Sequence, residues 1–271
     1  MTKSMAQSTK KSRNISDAVR EICLSFPEVE EKGSRGSASF EVRGKKFAYY
    51  VVNHHGDGRV ALQTRAPMGD QQNFVDLNSD VYFVPPYIGP KGWLGIELNK
   101  GLRWNEVAER AREAYCVVAP KALHADIGET VKIKGKVTNL KPEEIDPFKS
   151  KRAKEVLKKI DKICMALPEV VQADQFGSPV WKAGKKTFVW AHTGPGKNGK
   201  RHMGLQFWVG AHEQSLLTED PRFTIPAYTG HNGWIHLDVE DKANWDEIEG
   251  LALTSYRHFA LKRMLAAIGE F

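Results

Sequence analysis

Apolar residues recur at positions 15, 18, 19, 22, 23 and 26, three or four apart, and predict an amphipathic helix. Asn14 or Ser16 is placed to cap it and Pro27 to end it. Residues 28–34 are polar and read as a loop. The segments 37–42 and 47–53 are rich in aromatic and β-branched residues and predict two strands joined by a turn at 43–46. The His54-His-Gly-Asp-Gly58 turn then feeds a third strand at 59–64, so the pattern is an antiparallel meander. A short helix at 72–77 and a short strand at 81–84, stopped by Pro85-Pro86, follow. After a strand at 93–98, Trp104, Val107, Ala108, Ala111 and Tyr115 mark a helix over 104–118. A last short helix is predicted at 120–123.

The same pattern is then written again. Tyr87-Ile-Gly-Pro-Lys-Gly-Trp-Leu-Gly-Ile-Glu-Leu98 returns 141 residues later as Tyr228-Thr-Gly-His-Asn-Gly-Trp-Ile-His-Leu-Asp-Val239. The offset also relates Cys23-Leu-Ser-Phe-Pro-Glu-Val29 to Cys164-Met-Ala-Leu-Pro-Glu-Val170, Gly36-Ser37 to Gly177-Ser178, Tyr115 to Tyr256 and Lys121 to Lys262. Two domains of about 110 residues follow, each long enough to bury a core. The second copy predicts a helix at 150–167, strands at 180–182, 188–192, 203–209 and 234–239, and a helix at 245–259. Each unit is therefore α+β, an antiparallel meander sheet flanked by N-terminal and C-terminal helices. The expected division is a disordered basic leader at 1–13, the first unit at 14–124, a linker at 125–149 and the second unit at 150–271. Within the linker, 130–137 alternates and reads as a lysine-guarded edge strand, and 142–147 as linker or helix start.

Composition adds setting rather than fold. With 41% apolar and 27% charged residues the chain is that of an ordinary globular protein. No apolar run reaches the roughly 18 residues of a membrane span. The first residues lack the apolar stretch of a secretory signal. None of the three cysteines is spaced as C-x-x-C; Cys23 and Cys164 fall on the apolar face of equivalent helices, and a reducing cytoplasmic location is expected. The net charge of +7 invites a nucleic-acid reading, but its distribution qualifies it. Residues 1–20 carry +4 and residues 132–162 carry +6, which leaves −3 for the rest of the chain. Either these segments are solvated or they attract phosphates without sequence preference.

Several patterns suggest chemistry and fail on context. Gly194-Pro-Gly-Lys-Asn-Gly-Lys-Arg201 approaches a phosphate-binding loop, but a strand rather than a helix follows it, so it reads as a basic hairpin loop. His54, His55, His192, His202, His212, His231 and His236 show no metal-ligand spacing and read as surface or turn residues. No nucleophile elbow or patterned carboxylate pair is present in the sequence, and Glu106, Glu109, Glu247 and Glu249 belong to first turns of helices. The repeated Trp93/Trp234 and Trp104/Trp245 read as core anchors. Phe207 and Trp208 are neighbours on one strand, so one must turn outward, and Trp208 is the candidate for stacking on a ligand or base.

Leu-Pro-Glu-Val, Gly-Lys-x-Phe, Pro-Pro-Tyr-x-Gly-x-x-Gly-Trp and a late Tyr-x-x-x-x-x-Lys-x-Leu together resemble the MmcQ/YjbR family, over residues 24–124 and 165–265. The second copy departs from the pattern with Pro226-Ala-Tyr228 and an enlarged basic hairpin. The residues assemble no catalytic or metal-ligand pattern, so neither catalysis, cofactor nor metal is expected. The resemblance implies a CyaY-like, double-wing fold and a DNA-binding role. On that reading β-hairpin wings offer Lys45, Lys46, Lys185, Lys186, Lys197, Lys200 and Arg201 to phosphates, with Arg65 and Lys91 nearby. A monomeric pseudo-dimer in the cytoplasm, with DNA as partner and no membrane, is expected. The alternative is a protein- or small-ligand-binding module using Tyr87, Trp93, Trp208, Tyr228 and Trp234 beside the Gly-Trp turns. A clustered positive face would favour DNA, and an apolar pocket a ligand.

Overall fold

The structure, a computed structural model, describes residues 13–34, 37–195, 201–239 and 243–270. The chain divides into two compact units, with Lys141 the last residue of one and Pro142 opening the main run of the other.

In chain order the first unit contains β1 (Arg13–Asn14), α1 (Ile15–Cys23), β2 (Val29–Ser34), β3 (Ser37–Val42), β4 (Lys45–Val52) and β5 (Val60–Arg65), then α2 (Asp70–Leu77), β6 (Tyr82–Phe83), β7 (Trp93–Glu97), α3 (Trp104–Val118) and β8 (Val137–Thr138). The sheet runs β2-β3-β4-β5-β7-β6, antiparallel throughout. The meander thus holds for four strands. The chain then crosses by α2 to the outer edge and returns inward as β7.

α1 begins at Asn14, whose side chain accepts from Asp17 N at 2.9 Å while the Asp17 carboxylate accepts from Asn14 N at 3.3 Å. Such a reciprocal cap stabilises a helix by about 1 kcal/mol. α1 and α3 cover one face of the sheet, where Phe40, Val42, Phe47, Tyr50 and Leu62 are buried. Phe26, Phe47 and Tyr115 form a ring cluster, with centroids 5.1 to 6.1 Å apart. Cys23 lies in this core, and burial pushes its thiol well above the usual range.

The second unit contains α4 (Pro142–Ile145), α5 (Lys151–Met165), β9 (Val170–Gln175), β10 (Ser178–Ala183), β11 (Lys186–Pro195), β12 (Arg201–Trp208), α6 (Ala211–Leu217), β13 (Phe223–Thr224), β14 (Trp234–Asp238), α7 (Trp245–Phe259) and α8 (Lys262–Ala266). Its sheet order, β9-β10-β11-β12-β14-β13, repeats that of the first. α5 and α7 pack against the face bearing Trp181, Phe188, Leu205, Phe207, Ile235 and Leu237. Ser255 fixes α7 to this sheet: it donates to Phe188 O at 2.5 Å and accepts from Trp208 N at 2.9 Å.

The α+β class and the tandem organisation are as the sequence implies, with four differences. Residues 28–34, expected as a loop, contain β2, and β9 is its counterpart. Their composition is polar because both are edge strands: among the described residues β2 pairs only with β3, while Arg20–Glu31 and Lys32–Glu41 ion pairs decorate it. Residues 130–137, expected as a strand, are extended into a ladder only at Val137–Thr138, which pairs in parallel with Arg13–Asn14. Gly135, at φ +85°, interrupts the run before it. Arg13, assigned to the disordered leader, is thereby ordered, bonded to Lys134 O at 2.9 Å and paired with Glu21 at 2.6 Å; the rest of the leader lies outside the described residues. Of the expected linker, residues up to 141 pack with the first unit and 142–149 with the second.

Among the described residues no helix is long and apolar enough to cross a membrane.

Candidate functional site

Successive residues of a strand face opposite sides of a sheet, so register alone decides which side chains share the face turned away from the helices. In the first unit that face carries the row Ser39, Tyr49, Gln63, Gly95 and Phe83 across five adjacent strands. The corresponding row of the second unit is Val180, Trp190, Gln206, His236 and Thr224. Glutamine is kept at the centre. The two residues beyond it differ: Gly95 and Phe83 in one copy, His236 and Thr224 in the other.

In the first unit this difference closes the face. The Phe83 ring lies over Gly95 so tightly that a Cβ there would sit 2.4 Å from it. The Arg59 guanidinium caps the ring from 4.2 Å and reaches Glu97 at 3.5 Å.

In the second unit Thr224 is too short to fill that place, and a pocket of about 690 Å³ opens. The His236 ring occupies the floor over Gly204, where a Cβ would approach it to 2.0 Å. His192 lies beside it, with ring centroids 5.7 Å apart and planes nearly perpendicular. Trp190 forms an aromatic wall, parallel to Phe176 at 6.3 Å. Gln206 Oε1 accepts from Thr229 Oγ1 at 3.4 Å. At the rim Arg222 bonds Asp220 at 2.6 Å and Glu247 at 2.8 Å, and these carboxylates raise the guanidinium's proton affinity. Its charge is therefore matched before any ligand arrives.

His236 corrects the reading of this histidine as a surface or turn residue: it sits in β14 and is only 9% exposed. Its distinguishing signal was available in the repeat, because the first copy has Gly95 there. Among the described residues no three His, Cys, Asp or Glu side chains gather as a metal site.

The expected phosphate-binding residues divide between the units. Lys45, Lys46, Arg65 and Lys91 converge on one hollow of about 510 Å³, floored by Trp93, Val117 and Val118. Register brings Arg65 opposite Trp93, with the guanidinium 5.6 Å from the indole, and Arg65 donates to Lys91 O at 2.5 Å. Among the described residues Lys45, Arg65 and Lys91 make no ion pair, and Lys46 approaches Glu41 only at 3.9 Å.

The second unit does not repeat this cluster. Lys186 corresponds to Lys45, but Thr187 stands for Lys46, Trp208 for Arg65 and Asn232 for Lys91. Trp208 stacks on His258 at 3.4 Å and donates to Asn232 O at 2.9 Å. The residue expected as an outward stacking platform is thus already stacked within its own unit. Lys185 and Lys186 are exposed. Lys197 and Lys200 lie outside the described residues, as does the side chain of Arg201. Trp93 and Trp234 are buried anchors, whereas Tyr87 and Tyr228 are 69% and 90% exposed. Tyr228 lines the second unit's pocket. Trp190, Gln206, Thr224 and Arg222 were not singled out from the sequence.

Two copies of one α+β unit, each with an antiparallel six-stranded sheet and a Gly-Trp turn, define the class. The YjbR family model matches residues 24–117 and again 165–258, and the chain belongs to that family. No protein of curated function matches it. Two solved structures are similar. One is a Deinococcus radiodurans protein with a DUF419 domain, 16% identical, with a TM-score of 0.35, covering 45% of this chain and 94% of its own. The other is from Pseudomonas syringae, 13% identical, with a TM-score of 0.34, covering 39% of this chain and 97% of its own.

Proposed function

We propose that the chain is a non-enzymatic DNA-binding protein whose first unit holds backbone phosphates in the hollow formed by Lys45, Lys46, Arg65 and Lys91. The observation that carries this reading is the convergence of four cations on one apolar floor, with almost no carboxylate to neutralise them. A phosphodiester supplies the missing anion, and its oxygens accept from ammonium and guanidinium alike. Contacts of this kind position a duplex without reading bases. The positive excess of residues 1–20 and 132–162 adds a salt-sensitive attraction. The three free thiols fit a reducing compartment such as the cytoplasm.

The test is fluorescence anisotropy with a labelled random-sequence duplex across a salt series. The protein is compared with its Lys45/Lys46/Arg65/Lys91→Ala variant. Wild type is expected to bind at low salt and to lose affinity as salt rises, with the variant at least about tenfold weaker. Failure to bind at low salt, or equal affinity of the two proteins, would sink the reading.

A further inference from the structure

We propose that the chain associates with a second copy of itself by antiparallel pairing of β9 with β9, in place of the monomer expected from the sequence. The two units treat the same sheet edge in opposite ways. β2 is blunted: it carries Glu30, Glu31 and Lys32, with Glu31 held by Arg20 at 2.8 Å and Lys32 by Glu41 at 2.9 Å. Gly33 then takes φ +125°, where a Cβ would sit 2.5 Å from Ser37 O, so the strand leaves regular extended geometry. Charges and irregular backbone keep an edge from pairing with another chain.

β9 has none of these devices. At the 141-residue offset Val171, Gln172, Ala173 and Asp174 stand where the first copy has Glu30, Glu31, Lys32 and Gly33. Asp161 replaces Arg20 and turns inward, accepting from Trp181 Nε1 at 2.9 Å. Between Val170 and Gln175 no residue has a positive φ. Among the described residues β9 pairs only with β10, and Val171 is 58% exposed. A regular strand thus presents its outer row of backbone amides and carbonyls, which another strand can complete.

Charge decides which strand fits. Asp174 carries the sole charge between Val170 and Gln175. The partner strand therefore needs no charge of its own, and a two-fold axis through Gln172 lets β9 serve both sides. In that register Val171 of one copy lies opposite Ala173 of the other, twice over, on the face turned away from the helices. Gln172 lies opposite itself, where its amide both donates and accepts. Asp174 comes opposite Val170 and about 13 Å from its own copy, beyond the screening length of about 8 Å at physiological salt. The same operation on β2 would set Glu31 against Glu31 and break its pairing with Arg20.

The test is sedimentation velocity on the full chain across a concentration series, with hydrogen–deuterium exchange on the same samples. A dimer that grows with concentration is expected, and exchange in peptides covering 170–175 should slow as it forms. Gln172→Lys sets two ammoniums against each other on the axis and should weaken the dimer at least about tenfold, and Gln172→Glu should do the same with carboxylates. Mixing the two variants should restore a dimer of mixed composition, since each charge then meets its opposite. Val171→Lys, at an exposed site beside the axis, should also weaken the dimer and serves should a Gln172 variant fail to fold. The Lys45/Lys46/Arg65/Lys91→Ala variant should dimerise as wild type does, so this contact and the phosphate hollow stand or fall separately. The proposal is overturned if wild type stays monomeric into the millimolar range, or if a dimer forms without slowing exchange at 170–175. It is equally overturned if the folded lysine variants dimerise as wild type does, or if the mixture of Gln172 variants stays monomeric.

Discussion

The Tyr115 hydroxyl donates to the carbonyl of Pro27 at 2.9 Å, tying the end of α3 to the turn after α1 across 88 residues of chain. Tyr256 makes the same bond to Pro168 at 2.9 Å in the second unit. The Pro-Glu-Val segment of each copy and its late tyrosine are therefore two halves of one contact. The residue after each proline, Glu28 or Glu169, takes a left-handed conformation with φ of 54° or 53°. That turn presents the proline carbonyl to the tyrosine. Tyr115→Phe keeps the ring in its aromatic cluster and deletes only the donor. It should destabilise the first unit by about 1 to 2 kcal/mol in urea denaturation, and Tyr256→Phe should do the same to the second.

Gly95 is a glycine because of Phe83, not because of its backbone angles. Adding a methyl group at Gly95 would place it 2.4 Å from the ring. Gly95→Ala should therefore cost about 1 to 3 kcal/mol through overpacking. Shortening Phe83 to Leu in the same chain should recover part of that loss. A double-mutant cycle on urea melts measures the coupling, and strict additivity would contradict the packing described here.

These contacts mark how far the chain can be read without coordinates. The helices at 104–118 and 245–259 were legible to the residue because their apolar stripes are long. β2 and β9 were not, since an edge strand rich in Glu, Lys and Gln has no periodic signal until a neighbour supplies the ladder. Lys45, Lys46, Arg65 and Lys91 could be named as cations, but their convergence depends on β5 lying beside β7 rather than β6. The second pocket needed the pairing of Thr224 with His236. Half of its signal was present as a glycine-to-histidine change between the copies, but the sequence alone does not say that Phe83 and Gly95 touch.

Glu41 gives the first unit a pH dependence of known sign. It is 5% exposed and accepts from Lys32 Nζ at 2.9 Å and from Ser39 at 3.3 Å. The hydrogen bond from Lys32 is the main reason its carboxyl titrates below the ordinary range, with the charges of Lys32 and Lys46 adding to it. A carboxyl depressed in the folded state binds its proton more tightly when unfolded. Its stabilisation is therefore full above the unfolded value of about 4.3 and is lost as pH falls through the lower folded value. Thermal melts of wild type and Glu41→Gln should differ most near neutrality and converge in acid. A gap that widens as pH falls would reverse the assignment.

The cation hollow makes a prediction sharper than loss of affinity. Each lysine or arginine on a phosphate releases condensed counterions, so removing one should lower the salt slope of log K by about 1. Lys45 and Lys91 are the cleanest cases, because among the described residues neither is engaged by a carboxylate. Lys45→Ala and Lys91→Ala should each flatten the slope by that amount. Arg65→Ala should do more, since Arg65 also donates to the Lys91 carbonyl and holds the turn that carries Lys91. Lys186→Ala is the control: it is Lys45's counterpart, but Trp208 and Asn232 replace the other cations there. Its slope should match wild type. Equal flattening by Lys45→Ala and Lys186→Ala would mean that phosphates contact both hairpins alike, and that the hollow of the first unit adds nothing of its own.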